Sequence, residues 1–89
     1  MIKSFKKYIL DKLLQIVVDK NYIRTKFAVM FINEMVYGEL TCEICKKVFG
    51  KNAKKTLDHI IPKSKGGSNH LNNLQLAHKW CNHQKGDSI

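Results

Sequence analysis

Leu57-Asp58-His59-Ile60-Ile61-Pro62 is the stretch on which the reading of this chain turns. Its branched apolar residues read as a strand, Thr56 to Ile61, that stops at the only proline of the sequence. Within that strand an acid stands directly before a histidine. Downstream follow Gly66-Gly67 in a loop from Lys63 to Asn72, then Asn73-Leu74 and Cys81-Asn82-His83-Gln84-Lys85. Two pairs, Cys42-x-x-Cys45 and His78-x-x-Cys81, bracket the strand and the loop, with Asn82 to Lys85 just beyond the second.

The bracketing pairs have metal-ligand spacing. In Cys42-Glu43-Ile44-Cys45 a tight turn brings two thiolates onto one ion. In His78-Lys79-Trp80-Cys81 a first helical turn sets two ligands on one face. Three cysteines and one histidine close a tetrahedral shell without an open position, so the zinc this predicts is structural. His70 and His83 are the alternatives to His78, which is preferred because its spacing mirrors the first pair. A redox role for Cys42 and Cys45 would need a thioredoxin-like strand and helix around them, and that context is missing. Zinc binding supplies on the order of 10 kcal/mol to the folding of such small modules.

Cysteine usage also bears on the compartment. Three cysteines are an odd number, so a disulfide framework would leave one thiol over and demand an oxidising environment. Asp11, Lys12 and Asp19 interrupt any apolar stretch at the start, against a secretory signal, and the longest apolar run, Phe27 to Ile32, is too short to span a membrane. An intracellular protein with no membrane partner is expected.

Composition narrows the partner. The chain has 89 residues, which suggests one domain, with 16 basic against 7 acidic side chains and a net charge of +9. Such a field favours a polyanion, nucleic acid first. Of the basic residues 15 are lysine and one is arginine, Arg24. Lysine suits phosphates, whereas base edges are usually read by the planar fork of arginine. Backbone binding with weak sequence discrimination follows.

Residues 1–38 read as helical. Ile2, Phe5, Ile9, Leu13, Ile16 and Val17 recur at three- and four-residue steps, with most lysines off that face, and Asn21 marks a break. A second helix is expected over Thr25 to Tyr37, capped by Thr25, stopped by Gly38, with Phe27, Met30, Phe31 and Met35 as its core stripe. Composition shifts at Glu39, where Gly, Asn, Lys and His take over. Val48-Phe49 suggests a returning strand, Gly50 to Lys55 a basic turn, and Leu74 to Ala77 the approach to a final helix that runs to about Lys85 and stops at Gly86.

The dispersed motifs Asp58-His59-Ile60-Ile61-Pro62, Lys65-Gly66-Gly67, Asn73-Leu74-Gln75-Leu76 and Cys81-Asn82-x-x-Lys85 resemble the HNH endonuclease family, over about Cys42 to Gly86. The resemblance implies an α+β chain in which the N-terminal helical pair precedes a zinc-stabilised ββα-metal unit at 39–89. It implies that Asp58 holds a catalytic divalent ion, that His59 is the general base, that Asn73 pins the loop and orients the histidine, and that Asn82 is the second metal position. The family's name records a histidine where this chain has Asn82. An amide oxygen with a carboxylate makes an all-oxygen protein site, which favours Mg²⁺ or Mn²⁺ over Zn²⁺. Lys63, Lys65 and Lys85 are the expected phosphate contacts, and Trp80 is expected to pack on the zinc helix.

The resulting expectation is a metal-dependent endonuclease that cuts or nicks duplex DNA, leaving a 3′-hydroxyl and a 5′-phosphate. With one catalytic ion per chain, a double-strand break would need a homodimer or a second visit, and targeting would come from a protein partner or DNA shape. A zinc-bound nucleic-acid-binding module without turnover is the rival, and RNA stays open as a substrate.

Overall fold

The computed structural model describes residues 2–15 and 22–88. Helix α1 spans Ile2–Gln15 and α2 spans Tyr22–Tyr37, followed by the antiparallel hairpin of β1 (Lys55–His59) and β2 (Leu74–His78) and a short helix α3 (Lys79–Lys85). This is the expected α+β order, helical pair first, hairpin and helix after. The expected break at Asn21, the positions Ile16 and Val17, and the side chains of Ile2 and Phe5 lie outside what is described.

The inward faces of both helices differ from the sequence expectation. On α2 the buried residues are Ala28, Val29, Ile32, Asn33 and Val36, whereas Phe27, Phe31 and Met35 are exposed and Met30 is half-buried. The helix is apolar on nearly every side, so periodicity could not choose a face. A polar clamp does: Asn33 Nδ2 donates to Thr41 O at 2.7 Å, and Thr41 N donates to Asn33 Oδ1 at 2.8 Å. Satisfying both backbone groups of a buried strand-like residue turns Val29, Ile32 and Val36 inward with Asn33. On α1, Leu10 and Leu14 pack on the core and Ile9 and Leu13 face out. Asp11 turns inward with Leu10, ion-paired to Lys7 at 3.1 Å. The second helix also begins at Tyr22, one turn before Thr25.

Leu74 to Ala77 is strand, not the approach to a helix. It pairs with β1 in the register Leu57↔Leu76 and Asp58↔Gln75, and α3 starts only at Lys79. The helix reading fails because Leu74, Leu76 and Ala77 are all buried against α2 and the zinc knuckle, so burial rather than a helical stripe sets their spacing. Leu76 and Leu71 are fully buried, and each side chain contributes roughly 2 kcal/mol by leaving water. Val48-Phe49 forms an isolated bridge, Thr41↔Val48, rather than a strand.

The helical pair braces the second half. Gln15 Oε1 accepts the N–H of Leu71 at 2.7 Å, fixing the 3₁₀ turn Leu71–Asn73 that leads into β2. No helix among the described residues is long and apolar enough to cross a membrane.

Candidate active site and metal centre

The Cys42–Cys45 knuckle is a backbone turn closed by Lys46 N donating to Cys42 O at 2.8 Å, with Lys46 at φ 65°. Glu43 ties that turn to β2: its N–H donates to Leu76 O at 2.9 Å and its Oε2 accepts Leu76 N at 3.2 Å. The end of β2 therefore lies against the knuckle, and His78, its last residue and the cap of α3, faces the sulfurs. Cys45 Sγ lies 3.4 Å and Cys81 Sγ 3.8 Å from His78 Nδ1. One ligand atom from each of Cys42, Cys45, His78 and Cys81 lies within 4.8 Å of every other, the span a tetrahedral zinc requires. Neither His70 nor His83 belongs to this cluster.

The thiols respond to that crowding. Burial raises the Cys42 pKa, but amide donors from Cys45, His78 and Ile44 and the His78 ring outweigh it, lowering the group from 9.0 to about 6. Cys81 is pushed up to about 11 by burial and by its hydrogen bonds and charge interactions with Cys42 and Cys45. A third thiolate beside two others needs a cation. The donor set is soft, complete and fits structural zinc.

A second centre is built where β1 ends. Strand alternation sends Asp58 and His59 to opposite faces, but β1 stops at His59 and the chain bends through Ile60 and Ile61. Asp58 is 5 % exposed. Its Oδ2 accepts a hydrogen bond from Gln75 Nε2 at 2.8 Å, the residue opposite it in the hairpin, and lies 3.3 Å from Lys85 Nζ. Lys85 Nζ also donates to His59 O at 2.9 Å, so this lysine points into the site. His59 Nε2 lies 2.8 Å from Asn69 Oδ1. As oriented, the Asn69 carbonyl accepts the Nε2 proton, which leaves Nδ1 as the basic nitrogen.

Asn82 completes the group from α3. Its Nδ2 donates to Thr56 Oγ1 and to Leu57 O, both at 3.1 Å, leaving Oδ1 as the uncommitted acceptor. Asp58, His59 and Asn82 line one cavity of about 240 Å³, which Lys63, Ser64 and Asp87 also line. An acid oxygen and an amide oxygen facing shared space fit a hard divalent ion, with water or phosphate completing its shell.

Asn73 stands apart from the cavity and holds the loop above it. Its Nδ2 donates to Ser68 O at 2.8 Å and Ile61 O at 3.1 Å, and its Oδ1 accepts Ile61 N at 2.8 Å. Gly67 is what lets the loop close this tightly: a Cβ there would meet Ile61 O at 1.7 Å. Lys63 and Lys65 lie exposed on the 3₁₀ turn Lys63–Lys65, and Trp80 is 69 % exposed rather than packed. Trp80 stays outward because the inner side of α3 is taken by Cys81, Asn82 and Lys85, each engaged with the knuckle or the hairpin.

The HNH endonuclease family profile matches residues 42–88, more than half of the chain. The chain belongs to the HNH endonuclease family. No curated protein and no solved structure matches it. In this HNH unit the sequence reading overlooked Gln75, Asn69 and Asp87. Gln75 would have emerged from reading Leu74–His78 as a strand paired with β1; nothing local signals Asn69 or Asp87.

Proposed function

We propose that this HNH unit is a metal-dependent endonuclease that hydrolyses phosphodiester bonds of duplex DNA. The observation that carries the proposal is the common cavity of Asp58, His59 and Asn82. His59 takes a proton from the attacking water at Nδ1, and Asn69 holds the ring by the opposite nitrogen. Asp58 and Asn82 Oδ1 would hold Mg²⁺ or Mn²⁺, which supplies charge stabilisation for the phosphate oxygens and the leaving 3′-oxygen. Gln75 fixes the carboxylate, and Asn73 fixes the loop that follows His59. Products carry a 3′-hydroxyl and a 5′-phosphate.

Lys63 and Lys65 are the outward phosphate contacts, and Lys85 reaches a phosphate only by leaving Asp58. With 15 lysines and a single arginine, affinity comes from backbone charge with weak sequence preference. Helices α1 and α2 brace the zinc-bound unit that follows them within one domain, in an intracellular protein. A homodimer or a protein partner supplies targeting.

Supercoiled plasmid is the test. Purified zinc-loaded protein should relax it with Mg²⁺ or Mn²⁺, not with chelator, and His59→Ala should lose activity by roughly 10²- to 10⁴-fold. Tight binding with intact plasmid under every condition would instead make this a binding module without turnover. Parallel incubation with duplex and single-stranded RNA decides the substrate class.

A further inference from the structure

The outer face of α2 carries Ile23, Phe27, Phe31 and Met35 with exposures of 64, 65, 51 and 43 %. They recur every fourth residue, so they form one continuous ridge along the helix. Together they expose on the order of 500 Å² of apolar surface, comparable with the largest patch on a typical monomer and often functional. Nothing in the HNH site uses it.

We infer that this ridge binds a second copy of the chain, α2 against α2, antiparallel across a two-fold axis. The ridge is its own complement when reversed about residue 29. In that register Phe27 meets Phe31 of the second copy, Ile23 meets Met35, and Arg24 meets Glu34. Arg24, Phe27, Phe31 and Glu34 also step by three and four residues, the spacing of a helix-pair seam.

Charge selects this partner over others. Alpha2 has no acidic residue in its first turn and no basic residue in its last turn; instead Arg24 sits near its N-terminus and Glu34 near its C-terminus. Each charge is misplaced with respect to its own helix dipole. Antiparallel pairing sets each beside the oppositely charged residue and the favourable helix end of the other copy. A partner membrane or polyanion would gain nothing from Glu34, which lies exposed among the apolar side chains. A self-complementary patch closes after two copies, so it yields a dimer rather than a filament. The second copy brings a second catalytic cavity, although the inference stands whether or not the cavity cuts DNA.

Sedimentation equilibrium of the zinc-loaded full chain tests it by mass alone. Wild type should sediment at twice 10.3 kDa at micromolar concentration. Phe27→Glu, at a largely exposed position, should weaken self-association by roughly 30-fold or more while helical content and zinc stay unchanged. Glu34→Arg should also yield monomer, and Arg24→Glu with Glu34→Arg should restore the dimer. Arg24 has a further interaction within its own chain, so helical content is read on that double variant too. A monomeric wild type overturns the inference, as does a dimer that survives Phe27→Glu. A double variant that folds but stays monomeric overturns the antiparallel register. A monomer that binds anionic vesicles through this ridge would assign the face to a membrane instead.

Discussion

Asn73→Ala should loosen the site from a distance, and its cost can be worked from three contacts. The side chain is 8 % exposed and makes hydrogen bonds with Ile61 N, Ile61 O and Ser68 O at 2.8, 3.1 and 2.8 Å. At about 1 kcal/mol net for each, the truncation removes roughly 3 kcal/mol, more where an Ile61 group is left without water. That is a large share of the ~5–15 kcal/mol that holds a small domain together. With a urea m-value of about 1–3 kcal/mol/M, the unfolding midpoint should fall by roughly 1–3 M. Zinc must be held in fixed excess, because bound metal adds to apparent stability. Asn72→Ala is the internal control: its side chain is exposed one residue away, and the change should stay within about 0.5 kcal/mol. Nicking by Asn73→Ala should drop at least as far as stability does, since Ile61 follows His59 by two residues. If Asn73→Ala unfolds at the wild-type midpoint, the idea that this amide pins the loop is wrong.

Other substitutions divide the two centres. Asp58→Ala should abolish nicking and manganese binding yet retain zinc, read by metal analysis of the dialysed protein; loss of zinc would show that the centres are not separate. Gly67→Ala cannot be accommodated without moving the Ile61 carbonyl, 1.7 Å from the new carbon, so thermal unfolding should show a loss exceeding about 2 kcal/mol. For the zinc-free chain, Cys42, lowered to about 6 from 9.0, contributes stability that is complete above 9.0 and lost as pH falls towards 6. Cys81, raised to about 11, contributes below 9.0 and loses that contribution as pH rises through 11. Stability without zinc should therefore peak near pH 9.0, by denaturation across the range. Zinc must also displace the Cys81 proton at neutral pH, so its affinity should fall with acidification and calorimetry in two buffers should register proton release. An affinity unchanged between about pH 6 and 8 would contradict this.

What the sequence disclosed was whatever is encoded locally. A turn between Cys42 and Cys45 and a helical turn from His78 to Cys81 are short-range geometries, so spacing alone named four groups that do cluster. A strand carrying Asp58 and His59 was equally legible, although Pro62 suggested an end at Ile61 and β1 runs Lys55–His59, two residues shorter at that end. Long-range choices were not. The inner face of α2 depends on Asn33 meeting the backbone of Thr41, an interaction invisible to a hydrophobic period in a helix apolar all round. Trp80 misled for a similar reason: an indole suggests packing, but α3 is too short to bury it once Cys81, Asn82 and Lys85 take the inner side. Gln75 and Lys85 converge on Asp58 only after the hairpin and α3 have formed.

Anomalous diffraction from Mn²⁺-soaked crystals, collected on both sides of the zinc edge, examines the two-ion arrangement without relying on turnover. Zinc scattering should lie among Cys42, Cys45, His78 and Cys81, with a separate manganese peak between the Asp58 carboxylate and Asn82 Oδ1. Saturating manganese that leaves Asp58 paired only with Lys85 and Gln75, with no peak in that cavity, would contradict it.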